Sequence, residues 1–148
     1  MKFTFLSLLI LFCPFTTHTF GQSPIGKWKT IDDKTGIEKS IVTISEKDGK
    51  LYCHISEILE EEYKGTNPLC ESCKGDKKNQ PVIGLEIFWN MEHDKENKWD
   101  SGKILDPESG KIYGCKLELE SDDKLKVRGF LGFAALGRNQ FWYRLAEN

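Results

Sequence analysis

After its first 21 residues, the sequence lacks any apolar run approaching the roughly 20 residues of a membrane-spanning helix. The one sustained apolar stretch, residues 3–15, follows Met1-Lys2 and precedes Thr19-Phe20-Gly21, which places small residues where a signal peptidase cleaves. This order predicts a signal peptide at residues 1–21. We therefore expect an exported mature chain, residues 22–148, that is periplasmic or extracellular and has no transmembrane segment.

An excess of basic residues is also missing. The formal net charge is −2, and loss of Lys2 with the signal peptide changes it to −3. Nucleic acids and anionic membrane surfaces both attract a basic excess. Neither is therefore an expected partner, and the sequence identifies no protein partner.

Histidine is scarce, and familiar catalytic motifs are absent. Of the three histidines, His18 lies in the signal peptide, His54 in a predicted strand and His93 in a charged turn. The sequence contains no Gly-x-Ser-x-Gly motif, Gly-rich phosphate loop or His-Glu-x-x-His motif. We expect a protein that is not an enzyme and that uses neither a metal nor a cofactor. An acidic pair brought together by distant strands remains the alternative.

Only four cysteines follow the signal peptide, and an even number in an exported chain favours disulfides. The Cys70-x-x-Cys73 motif lacks the βαβ frame of a redox centre and the second ligand pair of a zinc site. A local Cys70–Cys73 disulfide is the favoured interpretation. Cys53 and Cys115 lie on apolar strand faces, where they either bridge the interior or stay as two buried free thiols.

Strands fill most of the remaining sequence. Apolar and polar residues alternate with a period of two, as in residues 111–120, and no segment has a sustained helical period. Turn signals such as Asp48-Gly49 separate the alternating segments. We predict eight strands, at residues 26–31, 37–46, 50–58, 82–90, 101–106, 111–120, 124–133 and 140–146.

Short antiparallel strands joined by tight turns indicate a sandwich or an up-and-down barrel. Closure removes exposed sheet edges and therefore favours the barrel. The predicted fold class is all-β, a single antiparallel up-and-down barrel of about eight strands. Residues 22–148 suit one domain, in which a long Cys-containing loop, residues 59–81, interrupts the pattern.

A Gly-x-Trp motif, Gly26-Lys27-Trp28, opens the first strand. Gly26 lets the chain bend across the barrel base, and Trp28 plugs that end. The motif resembles the Gly-x-Trp opening of the lipocalin-like (calycin) barrels. The resemblance implies that a basic residue near the last strand, Arg144 with Arg138 as a second candidate, packs across the indole. It implies a role in barrel closure without a role in catalysis.

Three further blocks resemble one bacterial exported family. They are NQPVIGLEI (79–87), GKILDP and GKIY (102–107 and 110–113), and LKVRGFLG and LGR (125–132 and 136–138). Their order and spacing are similar to those of the family catalogued as domain of unknown function 2147. The resemblance implies an exported protein of this size and brings no catalytic residues with it. The sequence departs from the family pattern at residues 88–92 and at Cys53, which leaves the role of Cys53 open.

The interior of an eight-stranded barrel is either filled with side chains or holds one small ligand. We expect a non-enzymatic binding protein for a small apolar molecule or lipid. Seven residues are predicted to line the ligand: Ile87, Trp89, Tyr113, Leu117, Leu119, Val127 and Leu131. The alternative is a cell-envelope interaction module with a filled barrel and contacts around Cys70 and Phe133. The apolar, Gly-rich residues 129–137 are either core packing or an apolar lip at the barrel mouth.

Overall fold

The computed structural model describes residues 23–146, so the predicted signal peptide lies outside the described residues. The strands are β1 (Gly26–Ile31), β2 (Glu38–Lys47), β3 (Lys50–Ile58), β4 (Glu86–Lys95), β5 (Lys98–Asp106), β6 (Lys111–Ser121), β7 (Lys124–Phe130) and β8 (Arg138–Arg144). Single 3₁₀ turns lie at Glu61–Tyr63, Gly75–Lys77 and Ala134–Leu136. No helix within the described range is long and apolar enough to cross a membrane.

Each strand pairs antiparallel with the next, and β8 pairs with β1, so the sheet closes into a barrel. The predicted all-β, eight-stranded, up-and-down barrel is confirmed. Consecutive strands run in opposite directions, so their connections alternate between the two ends. We call the end with the β2–β3, β4–β5 and β6–β7 turns the closed end, and the opposite end the mouth.

The closed half of the barrel is solid. Large inward-facing side chains pack there with almost no exposure to solvent: Trp28, Val42, Ile44, Leu51, Phe88, Met91, Trp99, Leu117, Leu119, Leu125 and Trp142. The Phe88 and Trp142 rings stack, with their centroids 6.2 Å apart. Each large side chain removed from water contributes roughly 1.5–3 kcal/mol, so this half of the barrel supplies most of the hydrophobic stabilisation.

Trp28 plugs the closed end. Its side chain is fully buried, and its Nε1 donates a hydrogen bond of 2.7 Å to the Pro24 carbonyl oxygen. The Arg144 guanidinium lies over the indole, 4.2 Å from the ring centroid. Arg144 Nη1 and Nη2 donate to the carbonyl oxygens of Ile25, at 2.8 Å, and Ser23, at 2.6 Å. Arg144 thus ties the segment before β1 to the end of β8.

Gly26 makes this approach of Arg144 sterically favourable. Its φ is +128°, and a Cβ at this position would lie 3.0 Å from Arg144 Nη1. Arg138, the second candidate for the contact with the indole, lies at the mouth and pairs with Asp33. The contacts between the segment before β1 and the end of β8 therefore involve Gly26, Trp28 and Arg144, and Arg138 takes no part in them.

Two strands start three or four residues away from their predicted first residue. β4 starts at Glu86 instead of residue 82, because Val82 N donates to the Pro68 carbonyl oxygen and belongs to the preceding loop. β5 starts at Lys98 instead of residue 101. Asn90 and Ser101 have positive φ angles, of 58° and 62°. They lie beside shifts in strand register, and such bulges let the hairpin continue through a polar stretch that lacks regular alternation.

We expect Arg144→Lys to destabilise the barrel. Lysine keeps the charge, but a single ammonium cannot lie over Trp28 and also bond both carbonyl oxygens in the geometry of a guanidinium. The free energy of unfolding in urea should fall by about 1–2 kcal/mol. Lys27→Met, at an exposed position of β1, is the control and should change it by less than about 0.5 kcal/mol. Equal effects of the two variants would contradict the role of Arg144 in closure.

Candidate functional site

A cavity of about 420 Å³ occupies the mouth half of the barrel. Its wall consists mainly of apolar side chains at the mouth ends of the strands and in the loop after β3: Ile55, Ile58, Val82, Ile87, Ile104 and Val127. Trp142 lines the cavity and stacks on Phe88, so it marks the place where the solid half begins. The barrel is filled at one end and hollow at the other.

Small side chains leave the hollow unfilled. Thr30, Ser40 and Gly129 line the cavity, whereas inward positions of the closed half carry tryptophan, phenylalanine, leucine and methionine. A Cβ at Gly129 would make only ordinary contacts, the nearest at 3.7 Å from Ile104 Cγ2. Protein interiors are normally close-packed, so an unfilled space of this size is a feature that requires an explanation.

Polar side chains deep in the cavity are already paired. The hydroxyl oxygens of Thr30 and Ser40 are 2.8 Å apart, and Trp142 Nε1 donates to Gln140 Oε1 at 3.3 Å. Paired groups need neither water nor a ligand to satisfy them. The inner cavity therefore offers apolar contact area more than unsatisfied hydrogen-bonding groups.

Residues 59–85, between β3 and β4, cover one side of the mouth and the adjoining outer wall of the barrel. We call this segment the excursion. A disulfide joins Cys70 and Cys73, as the sequence predicts, and both cysteines pack with Leu85 and Leu105 in a second buried cluster. Cys70 N donates to the Gln80 carbonyl oxygen at 2.8 Å, which closes the disulfide-containing loop. These contacts fix the excursion in place.

The β5–β6 turn lies directly against the excursion. Gly110 in this turn has a φ of +67°, and a Cβ there would lie 1.8 Å from the Ser72 carbonyl oxygen. The Cys70 sulfur is 3.5 Å from the Pro107 carbonyl oxygen. Only glycine fits this close approach of two backbones.

Three charged side chains from separate segments meet at the mouth. Lys39 Nζ, on β2, is 2.7 Å from Glu108 Oε1 and also forms an ion pair with Glu60 of the excursion. We call this group the Lys39 bridge. Partial burial lowers the pKa of Lys39, but the hydrogen bonds with Glu108 and Glu60 outweigh burial and raise the pKa above its ordinary value. Lys39 therefore stays protonated at neutral pH.

Other charges surround the mouth. Arg138 forms a two-pronged ion pair with Asp33, and this hydrogen bonding holds the pKa of Asp33 below its usual range. Hydrogen bonds from Thr35 likewise lower the pKa of Asp32. Asp106 accepts a hydrogen bond of 3.1 Å from the backbone of Glu108. Among the charged side chains that line the cavity, carboxylates outnumber cations.

Five of the seven predicted lining residues are inside the barrel or at the cavity wall. Ile87, Tyr113 and Val127 line the cavity. Leu117 and Leu119 are buried in the solid half, below the cavity. Their alternation on one strand face identifies them as interior residues, but it does not give their height along the barrel.

Trp89 and Leu131 do not face the cavity, and the prediction for them is corrected. Trp89 packs on the cluster beneath the excursion, with Lys77 Nζ 4.9 Å from its ring centroid. The strand register shifts between Glu86 and Phe88 and again before Met91, where Asn90 has a positive φ, so the simple alternation that placed Trp89 inward is broken on both sides of it. Leu131 is 62% exposed because β7 ends at Phe130, before the predicted limit of residue 133.

Residues 131–137, between β7 and β8, form an apolar lip beside the mouth. Leu131, Phe133 and Leu136 are 62%, 79% and 80% exposed. Arg128 donates hydrogen bonds of 2.7 and 3.1 Å to two carbonyl oxygens of the 3₁₀ turn in this segment. The three apolar side chains are thus held in solvent by a braced turn and do not pack in the core.

Cys53 and Cys115 are free and buried, so the second of the two alternatives for these cysteines describes the structure. Burial raises the pKa of both thiols, that of Cys115 to about 12. His93 Nε2 lies 2.9 Å from the Glu96 carbonyl oxygen, away from the cavity. In residues 23–146, no group of three or more His, Cys, Asp or Glu side chains is arranged to hold a metal ion.

Sequence reasoning missed several apolar wall residues, such as Ile55 and Ile104, and it also missed the small and charged ones. Thr30 lies on the same strand face as Trp28, and Gly129 lies on the same strand face as Val127. Small residues on a face that alternation assigns to the interior were therefore an available signal. Lys39 and Glu60 lie 21 positions apart and meet only through the barrel, so no local pattern reveals the Lys39 bridge.

The model of a bacterial protein family described as "Uncharacterized protein conserved in bacteria (DUF2147)" matches residues 26–144. The chain belongs to this family. The resemblance found in the sequence blocks is therefore confirmed. None of the curated proteins matches this DUF2147 chain.

Two solved structures are similar to this DUF2147 chain. Protein HP1028 from the human pathogen Helicobacter pylori, described as belonging to the lipocalin family, aligns with a TM-score of 0.73 and 17% identity over 83% of each chain. This likeness shows a lipocalin-like fold. A redesigned β-barrel aligns with a TM-score of 0.47 and 13% identity, over 83% of this chain and 91% of the other.

We expect Gly110→Ala to displace the excursion. Alanine at Gly110 meets the Ser72 carbonyl oxygen, whereas Gly49→Ala, at a similar φ of +74°, has no atom within 4 Å. Both variants share the cost of about 1–2 kcal/mol for a left-handed alanine. Only Gly110→Ala should make residues 59–85 sensitive to limited proteolysis and lower the free energy of unfolding further. Identical proteolysis of the two variants would contradict the contact.

Proposed function

We propose that this member of the family is an exported, non-enzymatic binding protein that holds one small apolar molecule, or the chain of a lipid, in the hollow half of its barrel. The observation that supports the proposal is the cavity of about 420 Å³, with its mainly apolar wall, above a solid half. Ligand sites commonly have volumes of about 300–1,000 Å³ and mostly apolar walls, with a few polar groups.

Water is a poor occupant of the inner part of this cavity. A buried water molecule needs two to four polar partners, and the Thr30 and Ser40 hydroxyl groups already pair with each other. An apolar guest gains from contact with the isoleucine and valine side chains of the wall. The Tyr113 side chain and the amide nitrogen of Gln140 remain at the wall to orient such a guest.

The mouth is built to keep its shape without a ligand. The disulfide, the backbone contact at Gly110 and the Lys39 bridge fix the excursion to β2 and to the β5–β6 turn. A site that is already formed costs less conformational entropy when the ligand binds. A disulfide beside the mouth also fits the oxidising compartment that a signal peptide at residues 1–21 would give the chain.

A graded series at Gly129 tests the proposal. Alanine, valine and leucine at this position extend into the cavity from a backbone that can carry a side chain without a close clash. Binding of the neutral fluorescent probe N-phenyl-1-naphthylamine should weaken with each added group, because the larger side chain occupies space that the probe would fill. The loss should reach at least about tenfold for Gly129→Leu, since burial of each methylene-sized group is worth about 0.8 kcal/mol.

Native mass spectrometry of residues 22–148, exported and purified without detergent, gives the complementary measurement. A bound mass that organic extraction removes should be present on the parent chain and absent from folded Gly129→Leu, with urea unfolding as the check on folding. A parent chain that carries no guest and never binds the probe would contradict the proposal.

The apolar lip favours a second candidate function, an interaction module of the cell envelope. Three neighbouring large apolar side chains on a braced turn are an unusual exposure for a surface loop. A protein partner seated on Leu131, Phe133 and Leu136 would bury them and leave the cavity to serve only as a gap in the packing.

Replacement of Leu131, Phe133 and Leu136 by serine separates the two functions. If the lip serves partner binding alone, crosslinking to envelope proteins should disappear while probe affinity stays within about twofold, because the probe contacts the inner wall. Serine at exposed Ile37 and Ile112 is the matched control. Unchanged crosslinking in the triple variant would exclude the lip as the partner site.

A further inference from the structure

The charged groups at the mouth set the kind of head group that a guest can present there. Six charged side chains line the cavity, four acidic and two basic: Asp32, Glu60, Asp106, Glu108, Lys39 and Arg138. Asp33, the ion-pair partner of Arg138, adds a fifth carboxylate close to this end. A ligand whose chain fills the apolar inner cavity must place its head among these groups.

Neither cation is free to receive an anionic head. Lys39 Nζ is shared between Glu108, at 2.7 Å, and Glu60, so the Lys39 bridge carries one positive and two negative charges. Arg138 is held by both oxygens of Asp33. An incoming carboxylate would have to displace a carboxylate that the protein itself supplies, and it would approach Asp32 and Asp106 at the same time.

A cationic head group would not have to displace any carboxylate of the protein. Glu60 and Glu108 each offer a second carboxylate oxygen beside the one that contacts Lys39. The Glu108 side chain is 71% exposed and can reorient, whereas Glu60 lies closer in, at 23% exposure. Opposite charges in close contact near a protein surface attract each other, and added salt screens the attraction. The mouth can therefore bind an ammonium group without breaking an existing ion pair.

We propose that the cavity selects amphiphiles with a cationic head over amphiphiles of the same chain length that end in a carboxylate. This inference rests on the proposed function, because it assigns the inner cavity to the chain and the acidic mouth to the head. The Lys39 bridge is then the specificity-determining element of the site, in addition to its role in fixing the excursion.

Displacement of N-phenyl-1-naphthylamine by decylamine, decanol and decanoate tests the inference. At about pH 7 the first is a cation, the second neutral and the third an anion. Decylamine should displace the probe from the parent chain at a concentration at least about fivefold lower than decanoate, and the ratio should shrink as salt is added. Decanol should fall between the two.

The double variant Glu60→Gln/Glu108→Gln removes the negative charge of the bridge and frees Lys39. Its preference for decylamine should fall to within about twofold, or reverse. Glu46→Gln, at an exposed position at the closed end of β2, is the matched control and should keep the parental preference. Urea unfolding of each variant, together with the single variants Glu60→Gln and Glu108→Gln, shows whether a changed preference comes from a folded protein.

The outcomes separate this inference from the proposed function. Displacement by decanoate at concentrations equal to or lower than those of decylamine would overturn the charge preference while leaving the cavity as a binding site. A preference for decylamine that survives in the double variant would overturn the assignment to the Lys39 bridge. Failure of the probe to bind the parent chain, or equal binding to Gly129→Leu, would overturn the proposed function and this inference with it.

Discussion

The seam between β1 and β8 is the constraint on which the rest of this structure depends. It contains three residue pairs, fewer than any other pairing around the barrel, and one of them joins Trp28 to Arg144. The guanidinium over the indole and its hydrogen bonds to the preceding segment add strength where the ladder is short. Without this seam the sheet would have two free edges, and the interior would be open along one side.

Closure at one end has a direct effect on the other. Large side chains near Trp28 make half of the barrel rigid, so the mouth half can carry threonine, serine and glycine at inward positions without collapsing. The cost of an incompletely packed interior is therefore confined to one end, and the excursion covers part of that end. The side chains that stabilise the barrel and the side chains that surround the cavity thus lie in different halves of the barrel.

Much of the fold could be predicted from the sequence, because period-two alternation and Asp-Gly turns are local signals. The Gly26-Lys27-Trp28 motif and the Cys70–Cys73 disulfide were accessible for the same reason. The contact of Arg144 with Trp28 was predicted from the resemblance to the calycin barrels and not from a local signal. Alternation shows which strand face is inward, but not the height of a residue along the barrel, so Leu117 and Leu119 could not be distinguished from Val127. Shifts of strand register on both sides of Trp89 turned its side chain away from the interior. The meeting of β2, the excursion and the β5–β6 turn has no local signature in the sequence.

The distribution of the four described cysteines has a consequence for oxidative folding. Three pairings are available to four thiols in an unfolded chain, and thiolate is the species that attacks a disulfide. Cys70 and Cys73 are three positions apart, so their encounter requires no barrel. Once the barrel forms, Cys53 and Cys115 are buried with raised pKa values and hold little thiolate. Disulfide exchange with the excursion then becomes kinetically inaccessible, and the correct pairing is preserved by the fold.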